Sequence, residues 1–298
     1  MSPRTIPALL KDTFLAWYAD RGPRLGAALA FYTLFSLAPL LIIVIAIAAL
    51  AFGRDVAHTQ LTQQIEDFIG PQAARVVQTT IENTSRPRSG IVATLVGLAM
   101  LLFGATIVFS ELQDALNTIW KVPTKPDRSM ALGLVRERAL SFVIVLGIGF
   151  LLLLSIVANT LLNVAMQIFG DVLPSQVDWF RLVNFGFSFS AVALLCAMLY
   201  KVLPDVAIAW GDVLIGAIVT AALFMLGKFL IELYLGFSSV ASVYGAAGSL
   251  VIFMMWVYYS AQILYFGAEF TKVYAKHRGR RIAPREEQLP VGHNSPGG

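Results

Sequence analysis

Apolar residues run along this chain in long blocks, interrupted by polar residues at helical rather than alternating intervals. Crossing a hydrocarbon layer about 30 Å thick takes roughly 20 residues of helix. Six blocks reach that length: 25–52, 91–111, 139–169, 182–200, 212–236 and 249–270. No period-2 pattern of a membrane barrel is present, which leaves helices as the spanning element. Ahead of the first block, Ile6, Leu9, Leu10, Phe14 and Trp17 fall near one helical face, with Lys11, Asp12 and Asp20 elsewhere. That pattern predicts an interfacial helix leading into the membrane. Residues 54–90 form the one long connection on the outer side. There Gly70-Pro71 separates apolar positions at Leu61, Ile65, Phe68 and Ile69 from those at Val76, Val77 and Ile81. A short helical hairpin on the outer surface fits this spacing, with a solvated loop as the alternative. The expected fold is an all-α integral membrane protein, six transmembrane helices with an outer helical hairpin between the first two.

Composition agrees with the pattern. Of the 298 residues, 57% are hydrophobic and 13% charged, and the mean hydropathy is +0.73, far from that of an ordinary water-soluble domain. The charges also orient the chain. Sixteen lysines and arginines fall in the N-terminal segment, the second-to-third and fourth-to-fifth connections and the tail, against five in the connections of the other side. The positive-inside rule then puts both termini in the cytoplasm. Three regions follow: a cytoplasmic interfacial helix at 1–24, a six-helix membrane domain at 25–270, and a basic, largely disordered cytoplasmic tail at 271–298. Cys196 is the sole cysteine, so no intramolecular disulfide or cysteine metal cluster forms. Ala46-Ile47-Ala48 has the look of a signal cleavage site, but apolar sequence continues to Phe52 and reads as an uncleaved anchor.

Candidate chemistry lies in the polar residues inside the blocks. In the last block Tyr258, Gln262, Tyr265 and Glu269 follow one another at +4, +3 and +4, which stacks them on one helical face. Such a face turns towards protein or water rather than lipid. Gly245 and Ser249 form a small-xxx-small pair suited to close helix approach. In the first block Ala28, Tyr32, Ser36 and Pro39 share a face, and Pro39 predicts a kink. Ser155, Asn159 and Asn163 in the third block and Asn184 and Ser188 in the fourth repeat the theme, which fits an internal path or polar packing between helices. Lys228 and Glu232 stand one turn apart in the fifth block. A lone charge at mid-membrane costs about 2.5–3.5 kcal/mol, and a facing pair neutralises itself. Anion binding, proton relay and a structural ion pair are all open to that pair. Glu111 and Asp114 close the second block, with Asn117 and Trp120 following; Lys201, Pro204 and Asp205 form a short cytoplasmic turn.

AALAFYTLFSLAPLL at 27–41, LQDALNTIW at 112–120, LYKVLP at 199–204 and SVYGAAGSLVIFMMWVYYSAQILYFGAEF at 242–270 together resemble the YihY/BrkB family of bacterial inner-membrane proteins, in order from about residue 20 to 275. Tyr32, Ser36, Pro39, Asn117, Tyr244, Gly245, Trp256, Gln262 and Glu269 match its motifs. The resemblance implies a six-helix protein of the cytoplasmic membrane. Members have carried the labels ribonuclease BN, virulence factor and serum-resistance protein, and some have been connected with lipids or lipid precursors of the envelope. It implies no catalytic residue.

Ribonuclease chemistry needs metal-bound carboxylates or histidines, or another acid/base pair, at the scissile phosphate. His58, His277 and His293 are instead scattered, and the sequence holds neither a Walker loop nor a Gly-x-Ser-x-Gly elbow. The chain is expected to be no enzyme and to hold no cofactor or metal. The run from Lys276 to Arg281 is expected to meet anionic lipid headgroups rather than nucleic acid. These features together predict a transporter or flippase for an amphipathic anionic substrate, with Tyr32, Ser36, Lys228, Glu232, Gln262 and Glu269 along the path. Pro39, Asn117, Tyr244, Gly245 and Trp256 are the expected structural positions. The alternative is a membrane scaffold for an envelope assembly partner. Oligomeric state is left open.

Overall fold

The fourth, fifth and sixth apolar blocks fold as helices that overrun their sequence-predicted ends. The structure is a computed structural model that describes residues 5–36, 66, 74–79, 107–122, 179–237, 248–280 and 283–284. Its elements are α1 (Thr5–Ala19), α2 (22–36), α3 (107–119), α4 (Trp179–Val202), β1 (Val206–Ala207), α5 (Trp210–Phe237), α6 (Gly248–His277) and β2 (Ala283–Pro284). A short helical stretch at 74–79 falls in the region expected to form the outer hairpin. Three segments among the described residues are long and apolar enough to cross a membrane: Phe185–Val202 in α4, Trp210–Ile231 in α5 and Leu250–His277 in α6. They are the fourth, fifth and sixth predicted blocks. The third block, the rest of the first two and most of the hairpin lie outside the described residues, as do Pro39, Tyr244 and Gly245.

The overruns have a backbone cause. α6 continues past residue 270 because its last carbonyls find partners: Gly279, at φ 70, accepts the left-handed conformation, its N–H bonds Lys276 O and the Arg280 N–H bonds Ala275 O. This double bond is the helix stop that glycine favours. α3 ends the same way without a glycine. Lys121 sits at φ 56, its N–H on Thr118 O and the Val122 N–H on Asn117 O. A non-glycine residue there costs roughly 1–2 kcal/mol, so the surroundings must hold it. Arg21, at φ 57, ends α1 in the same left-handed region and opens α2, receiving the N–H groups of Arg24 and Leu25.

α5 and α6 lie antiparallel on a seam of small residues. A Cβ on Gly216 would overlap Thr271 Oγ1, and one on Gly267 would overlap Thr220 Oγ1. Two Gly-x-x-x-Thr pairs thus interlock, as small residues do where apolar solvent offers no hydrophobic drive between helices. Both threonine hydroxyls bond back to their own glycine carbonyls at 2.7 Å. Tyr200 of α4, fully buried, closes the joint by donating to Leu264 O at 2.7 Å and meeting Thr220 Oγ1 at 3.0 Å. The outward faces are inverted relative to a water-soluble fold: Leu214, Ile218, Leu226, Phe229 and Leu230 of α5 are exposed. Lipid is the solvent that suits them.

α1 divides its apolar residues differently from the sequence expectation. Leu9, Thr13 and Asp20 are buried, and Leu9 packs with Val273 and Tyr274 of α6. Leu10, Phe14, Leu15 and Tyr18 point outward. The face expected to be single is split because α6 claims one flank of α1. The chain after α6 turns back, and β2 pairs antiparallel with β1, Val206 opposite Pro284 and Ala207 opposite Ala283. α6 thus runs past the predicted membrane-domain end at 270 to His277, and the tail after Pro284 lies outside the described residues.

Candidate functional site

The helix ends at one face of the bundle converge on four charges. Asp20, in the α1–α2 turn, receives Lys121 from the end of α3 on Oδ1 and Lys272 of α6 on Oδ2 at 3.1 Å. The Lys272 ammonium also donates to Ile119 O at 2.7 Å and lies 2.5 Å from Glu269 Oε2, close enough for an ion pair but without hydrogen-bond alignment. Glu269 is fully buried, whereas Lys121 keeps 65% of its side chain exposed. Burial raises the Asp20 carboxyl, but the neighbouring Glu269 carboxyl and the Lys121 and Lys272 ammonium groups together outweigh it and hold Asp20 below the ordinary carboxylate range. Both left-handed non-glycine residues flank this junction, Arg21 next to Asp20 and Lys121 upon it.

In front of the junction lies a cleft of about 800 Å³ between α1 and the end of α6, lined by Asp12, Ala16, Asp20, Lys121, Lys272, Lys276, His277 and Arg280 among others. Asp12 faces His277 Nε2 at 3.6 Å, and Arg280 Nη1 reaches buried Asp212 Oδ2 at 2.9 Å. Behind the junction the α6 stripe runs inward. Gln262 Oε1 accepts the Trp17 indole N–H at 3.1 Å, and Gly26 of α2 is bare where a Cβ would overlap the Gln262 amide. Gln262 Nε2, Tyr265 OH and Glu269 Oε1 are buried without a hydrogen-bond partner among the described residues. Natural interiors hold few such atoms, and three in sequence on one helix face are costly to leave dry. Asp20 and Lys272 therefore stand between a charged cleft and a buried polar column.

The structure brings together Gln262 and Glu269, with Tyr265 between them, as the stripe predicts; Tyr258, at its far end, is exposed. Ser36 is buried, its hydroxyl on Thr33 O at 3.1 Å, and Tyr32 is half-buried on α2; no hydrogen bond or ring contact among the described residues joins either to the column. Lys228 is half-buried on α5, next to Gly227, which abuts Tyr259 and Ile263 of α6. The Glu232 side chain lies outside the described residues, and with it the predicted pair. Asn117 Nδ2 donates to Asp205 Oδ2 at 3.3 Å and its Oδ1 accepts the Asp205 N–H at 2.9 Å, so the LQDALNTIW motif meets the residue that follows LYKVLP as a brace between α3 and the α4–α5 loop. Trp256 meets Phe224 edge to face, centroids 6.0 Å apart. Sequence reasoning missed Asp20 and Lys272 as partners of Glu269. The i, i+3 spacing of Glu269 and Lys272 carried a signal; the long-range contact to Asp20 carried none.

Spanning helices joined by small-residue seams, with polar groups turned inward, define a multi-pass α-helical membrane protein. The chain belongs to the virulence factor BrkB family, whose profile matches residues 13–290. It is similar to the UPF0761 membrane protein of Pseudomonas aeruginosa strain LESB58, 30% identical over 86% of this chain and 60% of that protein. It is also similar to those of Azotobacter vinelandii, 27% identical over 90% of this chain and 64% of the relative, and Kangiella koreensis, 24% over 88% and 62%. The chain thus spans about 60% of the length of these curated relatives. No solved structure matches it.

Proposed function

We propose that the protein moves an amphipathic anionic substrate, of lipid or envelope-precursor type, across the bacterial cytoplasmic membrane, with both termini in the cytoplasm and without chemistry on the substrate. The observation that carries this reading is the column of Gln262, Tyr265 and Glu269, where Gln262 Nε2, Tyr265 OH and Glu269 Oε1 lack hydrogen-bond partners among the described residues and which ends at the Asp20–Lys272 wall of a cation-lined cleft. A purely structural polar stripe would satisfy its own groups; a path offers them to a passing headgroup. An anion in the cleft competes with Asp20 for Lys272 and frees the entrance to the column. Lys228, half-buried at the edge of the α5–α6 seam, is the second anion contact within the membrane.

Proteoliposomes with an asymmetrically labelled anionic phospholipid test this. Parent protein is expected to move label above empty vesicles, and Gln262→Leu or Lys228→Ala to lose most of that movement while remaining folded and inserted. No movement by the parent sinks the reading and turns attention to the scaffold, which predicts a stable copurifying envelope protein and cysteines at 32, 228 and 262 closed to water-soluble reagents.

A further inference from the structure

We infer that the cleft is a binding site for a phosphate-bearing group of net negative charge, held chiefly by Lys276, Lys121 and Arg280. The case starts from which cations are already spent. Lys272 donates to Asp20 and Ile119 O and is ion-paired with Glu269, and His277 faces Asp12. Lys276, exposed on the cleft wall, has no ion-pair partner among the described residues. Lys121 contacts Asp20 while most of its side chain stays accessible. Arg280 commits Nη1 to Asp212 and leaves the rest of a half-exposed guanidinium free, a fork suited to phosphate oxygens.

Three cations from two elements thus face one space of about 800 Å³, within the range of small-molecule sites. Their positions are fixed from behind: Lys121 by its left-handed backbone at the α3 stop, Arg280 by the α6 stop and Asp212. Depth identifies the source. α6 has 30 residues, about 45 Å of helix, against a hydrocarbon core of about 30 Å, so its last turns stand in the headgroup layer. Leu15 of α1, one helical turn from the lining residues Asp12 and Ala19 but outside the lining itself, is exposed, so an apolar rim for an acyl chain borders the cleft. A lipid headgroup matches both depth and rim; a free phosphoester shares the charge chemistry. That the bound group is a substrate rests on the transport reading, whereas the binding itself does not.

Calorimetric titration of the full-length protein in detergent tests the site, with dihexanoyl phosphatidylglycerol, dihexanoyl phosphatidylcholine and glycerol 3-phosphate as probes. Short-chain phosphatidylglycerol is expected to bind and the zwitterionic lipid to bind at least about tenfold more weakly. Lys276→Gln should weaken the anionic lipid about tenfold. Arg24→Gln, which removes an exposed charge outside the cleft lining, should leave it unchanged. Tighter binding of the lipid than of glycerol 3-phosphate assigns the site to lipid, and parity assigns it to a free phosphoester. Equal losses in Lys276→Gln and Arg24→Gln, or equal affinity for the two lipids, would overturn the site as mere surface charge. Anion binding without translocation leaves the cleft standing and removes the transport reading; translocation with no Lys276-dependent binding does the reverse.

Discussion

Single residues decide how closely this bundle closes. Gly216 and Gly267 have no room for a methyl group, whereas nothing lies within 4 Å of a Cβ at Gly211. Gly216→Ala is expected to destabilise by about 1–3 kcal/mol through overpacking, and Gly211→Ala to be neutral or slightly stabilising. Melting of both variants in detergent checks the contrast, and equal behaviour would mean that the seam is looser than described. Asp20 makes a second prediction at this scale. Its folded value lies below the ordinary 3.8, so its contribution to stability is complete above 3.8 and fades as pH falls through the lower folded value. Asp20→Asn should lower the melting temperature near neutral pH and flatten the acid limb of the parent's curve. Parallel curves for the two proteins would show that the junction does not feel the charge.

Between elements, the caps and braces carry the information that hydropathy lacks. Arg280 donates to Asp212 Oδ2, and Asp212 is almost wholly buried at the start of α5. Removing the arginine leaves that carboxylate to the α5 N-terminus alone, whose dipole offsets part of the cost. Arg280→Ala is therefore expected to lose about 2 kcal/mol, the low end for a pair with one exposed partner, and Arg280→Lys to recover part of it. Chemical unfolding of the three proteins gives the answer. Asn117 belongs to the same scale. LQDALNTIW and LYKVLP were recognisable as motifs, yet their joint meaning appears only where Asn117 grips Asp205 across 88 residues of chain.

For the whole molecule, the charge asymmetry predicts that a cysteine at position 298 is labelled by an impermeant maleimide in inverted vesicles and protected in right-side-out ones. Cys196 is buried and adds little background. The reverse pattern would place the cleft outside and invert the direction of the proposed entry. The sequence by itself determined a helical membrane protein, the positions of α4, α5 and α6 and the inward polar stripe, because spanning length and helical period are local properties of composition and spacing. Tertiary structure decided that Glu269 meets Lys272 and Asp20, that Tyr200 seals the Gly-x-x-x-Thr seam and that a cleft opens beside α1. Those contacts join residues up to 252 positions apart, and no periodicity within one helix encodes which face of another it will meet.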